Sequence, residues 1–257
     1  MKKTDTYFLL FLIIFLSFNS FAQMNNETAK KLSNPLGFIS IPFQSNFDFN
    51  IPPNNAFRWT MYLMPIIPIS INKDFNSLNR IVLPVIHQND IFKDKTQTGI
   101  GDLLINAFLS PKSEEIVFGI GPSVYIPTGS PLQLTSRKWA AGPGVISMKS
   151  EGRLIFGALL FHLWTVTGDA SRPDFSYTYF QPVSLYNFNK GWGIGLSAEI
   201  SNEWKKNVTN GSVIFQGSKL MNFSGQLVNF VLGPKFFFGD FNRPDFGIRF
   251  SVNLLFP

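Results

Sequence analysis

The sequence predicts an all-β protein: a transmembrane antiparallel up-and-down β-barrel of about 12 strands, with short turns at one end and longer loops at the other. Three observations predict it. Polar and apolar residues alternate with period two over long segments. The connections between those segments alternate between long and short. After an apolar leader, no stretch of about 20 apolar residues remains to build a membrane helix.

The 257-residue chain is 16% aromatic, with 29 Phe, and 15% charged, against a usual charged share of roughly 25%. So few charges solvate a surface poorly in water, and such a surface suits lipid. There is no Cys, which excludes disulfides, Cys-ligated metal, a Cys nucleophile and a lipoprotein anchor. His87 and His162 are the only histidines, too few for a His-rich metal site, and no cofactor is implied. Lys2 and Lys3, the apolar run YFLLFLIIFL at 7–16 and the small-residue pattern Ser20-Phe21-Ala22 predict a secretory signal peptide over 1–22, cleaved after Ala22. Without Lys2, Lys3 and Asp5, 20 basic and 15 acidic residues remain. They are scattered, so nucleic acid is not an expected partner. Residues 23–34 (QMNNETAKKLSN) read as a short polar periplasmic tail, and 35–257 as the barrel.

The elements follow in order. In 37–50, Ile39, Ile41, Phe43, Phe47 and Phe49 share one face, with Ser40, Gln44, Asn46 and Asp48 opposite. In 57–71 the apolar face is Phe57, Trp59, Met61, Leu63, Ile67, Ile69 and Ile71, opposed by Arg58, Thr60 and Ser70. Less regular segments are 78–88, 99–110, 116–127, 139–149, 153–166, 175–187, 212–220 and 226–238. Segment 192–204 is the most regular: Trp192, Ile194, Leu196, Ala198 and Ile200 oppose Gly193, Gly195, Ser197, Glu199, Ser201 and Glu203. In the last segment, 244–256, only Leu255 breaks the alternation of FGIRFSVNLLF.

Connections 51–55, 89–98, 128–138, 167–174, 205–211 and 239–243 read as the longer set. Connections 72–74, 111–114, 150–152, 189–191 and 221–225 read as the shorter set. This regular alternation is that of barrels with long external loops and short periplasmic turns. The segments run to about 11–15 residues, where a spanning strand needs about 9–11 and a soluble one about 5–6. Trp192 and Trp204 fall on one face, roughly 30 Å apart along the membrane normal for a tilted strand, which suits two aromatic girdles. Trp59 and Trp164 are girdle candidates by the same alternation. Eight prolines (42, 65, 68, 84, 122, 143, 182 and 234) fall inside strands, where each lacks a ladder donor. Bulges near the rims would absorb some of them. The pairs Gly121-Pro122, Gly142-Pro143 and Gly233-Pro234 suit a recurrent kink.

Several stretches carry a resemblance: NPLGFISIPFQSNFDFN (34–50), LNRIVLPVIHQNDIF (78–92), GIGDLLINAFLSPK (99–112), GIGPSVYIPTGS (119–130), KWAAGPGVISMK (138–149), GALLFHLWTVTGD (157–169) and YFQPVSLYNF. They resemble a family of outer-membrane channel proteins associated with the meta-pathway of phenol degradation, whose members are often labelled "transporter" or, wrongly, "neuromedin U". The resemblance implies a Gram-negative outer-membrane barrel and passage of small apolar or aromatic solutes. Expected partners are outer-membrane lipid, a small-molecule solute and the barrel assembly machinery. The C-terminal strand with its in-phase aromatic resembles the signal that machinery reads, and Pro257 departs from it.

On the inferred wet face lie Arg58, Arg80, Asp102, Arg153, Glu199, Glu203, Lys235 and Arg249. Such charges either pair across a narrow lumen or set its selectivity. Catalysis is not expected. Neither His87 nor His162 has a hydroxyl two residues on, and Glu199 and Glu203 lie roughly 13 Å apart on one strand face, too far for a retaining glycosidase pair. GIGD at 99–102 lacks the Lys-Ser/Thr and helix of a phosphate loop. The expected function is passive passage of a small solute through a narrow lumen. The alternative is a closed structural barrel presenting loops 128–138 and 167–174 for surface binding.

Overall fold

A computed structural model describes residues 38–113 and 116–256. The expected signal peptide, its cleavage point after Ala22, the tail at 23–34 and Pro257 lie outside the described residues. The strands are β1 (Ile39–Ile51), β2 (Ala56–Leu63), β3 (Ile66–Ser70), β4 (Phe75–Asn89), β5 (Thr96–Ile100), β6 (Leu103–Pro111) and β7 (Ile116–Ile126). They continue as β8 (Lys138–Glu151), β9 (Leu154–Gly168), β10 (Ser176–Asn187), β11 (Trp192–Glu203), β12 (Val208–Phe223), β13 (Gln226–Gly239) and β14 (Phe246–Phe256).

All pairings are antiparallel, and β1 closes on β14 without a register shift from Ile39↔Phe256 to Phe49↔Phe246. Closure removes the sheet edge, whose N–H and C=O groups could not be satisfied in lipid. Fourteen strands make twelve walls. One wall is β2 and β3, interrupted at Met64-Pro65, and another is β5 and β6, interrupted at Gly101-Asp102. The expected strands 57–71 and 99–110 are thus each broken in two. β12 begins at Val208 and β5 at Thr96, so the expected loops 205–211 and 89–98 are shorter than their polar composition suggests. The loop 127–137 remains the longest connection. At the other end, 152–153 and 224–225 are two-residue hairpins. Ser224 and Gly225 both have positive φ, 50° and 100°, as a type I′ turn requires.

The alternation predicts the two faces of the wall. Phe118, Ile120, Ile194, Phe215, Phe236 and Ile248 point outward and are exposed, forming the apolar band that a membrane would cover. Asn46, Asn106, Ser123, Ser197, Ser212, Arg249 and Ser251 point inward and are buried. Leu255 is no exception to the register. It pairs with Ser40 and Leu227 on the inner face and is buried there.

The in-strand prolines share one solution. Pro122, Pro143, Pro182 and Pro234 each sit where the ladder on one side lapses while the register continues. The lapse lies opposite Ala107-Phe108 for Pro122, His162-Leu163 for Pro143, Ala198-Glu199 for Pro182 and Phe215-Gln216 for Pro234. On its other side each proline stays in register, as in Pro122↔Pro143, Pro182↔Ala158 and Pro234↔Ile248. The missing N–H therefore faces a gap in the ladder. Pro42 and Pro65 share the gap at Met64-Pro65, and Pro84 faces the break at Gly101-Asp102. Pro68 lies past the single β1–β3 pair at Ile66, so its free side carries no ladder. The glycine before three of these prolines leaves room for a neighbouring carbonyl. A Cβ on Gly121, Gly142 or Gly233 would run into the backbone oxygen of Ala107, His162 or Phe215.

The interior is packed around Phe108, with Leu78 and Phe108 towards the short-turn end. Leu78, Phe108 and Leu159 belong to one buried cluster with Ala140, Phe161 and Leu163. The Phe108 ring fits because β7 and β8 present glycines to it. A Cβ on Gly144 would lie 3.0 Å from Phe108 Cε1, and one on Gly119 2.9 Å from Phe108 Cβ.

Candidate functional site

Inward positions of β2, β4, β10 and β11 surround a cavity of about 820 Å³. Its lining mixes polar and charged groups (Arg58, Thr60, Arg80, Gln88, Gln181, Glu199) with aromatic ones (Tyr62, Tyr125, Phe161, Phe175, Tyr177, Tyr179). Phe161 and Tyr179 stack with ring centroids 5.1 Å apart, and Tyr125 meets Phe175 edge-on at 5.8 Å. The polar–apolar alternation of the strands does not reveal this aromatic wall, because these rings occupy inward positions where the pattern alone expects polar residues.

The loop 127–137 folds into the cavity, and Gln133, Leu134, Thr135 and Ser136 line it. Asp102 holds the loop. The pairs Val85↔Ile100 and Val82↔Leu104 differ by one residue in register, so Gly101-Asp102 forms a bulge. A bulge re-aims a side chain, and here the Asp102 carboxylate accepts the N–H of Gly129 at 2.9 Å and of Ser136 at 2.6 Å. Gly99 has no room for a Cβ against the Ser130 carbonyl, and Ser130 N–H donates to Ile100 O at 2.9 Å. GIGD is thus a docking seat for a loop.

Contacts to the loop 169–175 secure the other side. Arg172 donates to Leu132 O at 2.8 Å, Arg137 pairs with Asp169 at 2.7 Å, and Lys138 pairs with Asp174 at 2.8 Å. The Ser171 hydroxyl and backbone N–H donate to Asp169 and, with Arg137 and Arg172, hold its carboxyl below the usual range. The Lys138 ammonium does the same for Asp174, with a smaller effect from Lys205.

Seven of the eight charges predicted for the wet face fall into three groups. Arg249 pairs with Glu199 at 2.7 Å and donates through Nε to Asn46 at 2.8 Å, and Lys235 reaches Asp48 at 3.3 Å. These pairs cross the interior, and neither Lys235 nor Arg249 lines the cavity. Asp102 and Glu203 act as acceptors for backbone donors, Glu203 taking Ser176 N–H and Lys205 N–H, both at 3.1 Å. Arg58 and Arg80 line the cavity with neutral partners only: Gln88 at 3.0 Å for Arg58, and Asn106 at 3.1 Å for Arg80. Arg153 differs from expectation. It lies in the turn 152–153 and donates to Asn189 at 2.7 Å in an exposed position. The two-residue hairpin ends the strand pair before Arg153 can enter the lumen.

Trp164, Trp192 and Trp204 are outward and exposed, and Trp59 shares the outward face. Trp139, which the sequence reading left out, belongs with them. Its signal was its place at the start of a strand, in phase with outward Val145. Trp192 marks the short-turn rim and the other four the long-loop rim. His162 and His87 also face outward, and each has a hydroxyl partner on the next strand. Thr178 lies 2.7 Å from His162 Nδ1, and Thr98 lies 2.7 Å from His87 Nδ1. A search along one strand could not find these partners, which stand opposite in register. Trp204 Nε1 donates to the same Thr178 oxygen at 2.7 Å, and Ser176 lies 3.2 Å from His162 Nε2.

No protein-family model matches the chain, and no curated protein matches it in sequence. Among solved structures, the chain is similar to an outer membrane channel of Pseudomonas putida F1. That likeness has a TM-score of 0.67 at 12% identity and covers 85% of this chain and 95% of the other. A loop-deletion mutant of OmpT, an outer membrane protein of Vibrio cholerae, aligns with a TM-score of 0.41 at 6% identity over 85% and 97% of the two chains. OccK7 of Pseudomonas aeruginosa aligns with a TM-score of 0.31 at 8% identity over 86% and 99%. The first likeness establishes the class: the chain has the fold of a twelve-walled outer-membrane barrel.

Proposed function

We propose that this protein is an outer-membrane channel that passes small apolar or aromatic solutes down their gradient, without catalysis or a cofactor. The observation that carries the reading is the aromatic-lined cavity of about 820 Å³ enclosed by the barrel wall. That volume falls in the range of about 300–1,000 Å³ usual for small-molecule sites. The shared fold with an outer membrane channel supports the reading, as does the resemblance to the phenol meta-pathway family. In this reading the long loops face outside, the loop 127–137 narrows the entrance, and the layer around Leu78, Phe108 and Leu159 is the constriction a solute must pass. The outward apolar band contacts membrane lipid, and β14 engages the assembly machinery after Sec export.

The packed layer at Phe108 favours one other reading, a closed barrel presenting the loops 127–137 and 169–175 as a binding surface. Uptake into liposomes carrying refolded protein separates the two. Phenol and a small sugar are compared, and leak through bare lipid is subtracted. Protein-dependent entry of phenol supports the channel. Entry of neither solute through protein shown to be folded and inserted moves the function to the loops.

A further inference from the structure

Arg80, like Arg58, differs from the cations that pair across the interior. A guanidinium has five N–H donors. Arg80 spends one on Asn106 Oδ1 at 3.1 Å and one on the Met64 sulfur at 3.7 Å, while lining the cavity. A charge in an enclosed interior requires a counter-charge or strong solvation. Other inward cations have one: Arg249 has Glu199, Lys235 has Asp48, and Lys138 has Asp174. Among the described residues no carboxylate lies within ion-pair distance of Arg80 or Arg58. Nor is a cavity carboxylate idle. Glu199 is held by Arg249, Asp102 by the loop amides, and Glu203 by Ser176 and Lys205 N–H. The acids are bonded elsewhere: the Glu199 charge acts on Arg80 only at longer range, and no carboxylate among the described residues bonds the Arg80 guanidinium.

We propose that the cavity's ligand is a small organic carboxylate with an aromatic or apolar body. Its carboxylate sits on Arg80, and its body lies against the wall of Tyr62, Phe161 and Tyr179. The planar guanidinium fork matches a carboxylate with two parallel hydrogen bonds. The stacked Phe161–Tyr179 pair offers a face to a ring. An inorganic anion would use Arg80 and leave the aromatic wall unused, and a neutral aromatic would do the reverse. This assignment names the solute class of the channel proposed above and rests on that reading.

The test is isothermal titration of the folded full-length protein in detergent micelles with benzoate, benzyl alcohol and benzylamine, against protein-free micelles. The expected result is benzoate binding about ten-fold tighter than benzyl alcohol, the worth of a charge-assisted pair, with benzylamine weakest. Arg80→Gln removes the preference for benzoate, and Arg80→Lys keeps part of it. Equal binding of benzoate and benzyl alcohol, or no binding of benzoate, overturns the assignment. The comparison of three ligands on the unsubstituted protein decides the matter even if Arg80→Gln does not fold. Vesicle uptake separates the anion preference from the channel itself. Equal uptake of benzoate and benzyl alcohol overturns the anion preference and leaves the channel standing. Arg80-dependent benzoate binding with no uptake of any solute supports the ligand assignment and overturns the channel.

Discussion

Replacing Glu199 tests whether the ion pair that joins β11 to β14 across the interior stabilises the barrel. Arg249 lies on β14 and Glu199 on β11, and their 2.7 Å contact leaves the side chains 4% and 21% exposed. At that burial, solvent screening is small. Removing one partner of a buried pair costs about 3–5 kcal/mol, because it strands the other charge. Arg249 keeps its 2.8 Å hydrogen bond to Asn46, and Glu199 borders the cavity, so the lower end applies. Glu199→Met is expected to lower the unfolding free energy by about 3 kcal/mol. The double variant Glu199→Met with Arg249→Met removes both charges together. It is expected within about 1 kcal/mol of the unsubstituted protein, the remaining loss being the orphaned Asn46 acceptor. The assay is urea unfolding of the refolded barrel, read by the different gel mobility of folded and unfolded forms. A single variant losing under about 1 kcal/mol, or a double variant as unstable as the single, would show that the pair does not stabilise the barrel.

Other outcomes follow from the same geometry. Phe108→Ala is expected to cost about 3–5 kcal/mol and to raise solute entry and single-channel conductance; an unchanged conductance in folded protein would show that Phe108 does not form the constriction. Asp102→Asn weakens the grip on Gly129 and Ser136, so trypsin should cut after Arg137 faster than in the unsubstituted protein, while equal cleavage rates would remove Asp102 as the anchor. Gly233→Ala sets a Cβ against the Phe215 carbonyl, so the yield of folded barrel should fall well below that of Gly217→Ala, where the nearest atom is 4.0 Å away. Asp169 and Asp174 are both held below the ordinary value of 3.8 in the folded protein. Their contacts to Arg137 and Lys138 are therefore complete above that value and are lost as pH falls through the lower folded values. Loop amides at 127–137 and 169–175 should then exchange hydrogen faster at acid pH relative to the barrel strands, and an unchanged ratio would argue against the latch.

Much of the fold is legible in the sequence because a strand's period and a turn's chemistry are local. The alternation in 192–204 assigns Trp192, Ile194 and Leu196 to one face and Ser197 and Glu199 to the other, and the wall bears this out. Twelve segments predict twelve walls, since adjacent antiparallel strands need only short connections. Leu255 shows the limit of reading one strand alone. Its inward position follows from its pairing with Ser40 and Leu227, which a single segment does not contain.

The candidate site is legible only in part. Inward Arg58, Arg80 and Glu199 follow from parity, but their different roles do not. Whether a charge is matched depends on partners brought near by closure, such as Asp48 and Lys235, 187 residues apart. Asp102 owes its place to a one-residue bulge, a feature of the ladder with β4. The tolerance of the prolines is likewise a property of strand pairs, because a missing N–H matters only where a neighbour awaits it. The period, the two faces and the approximate number of walls are legible along the chain because they are set by interactions within a few residues. Register, the inward fold of 127–137 and the neutral partners of Arg80 were decided only when the sheet closed on itself, since each depends on which distant residues then face one another.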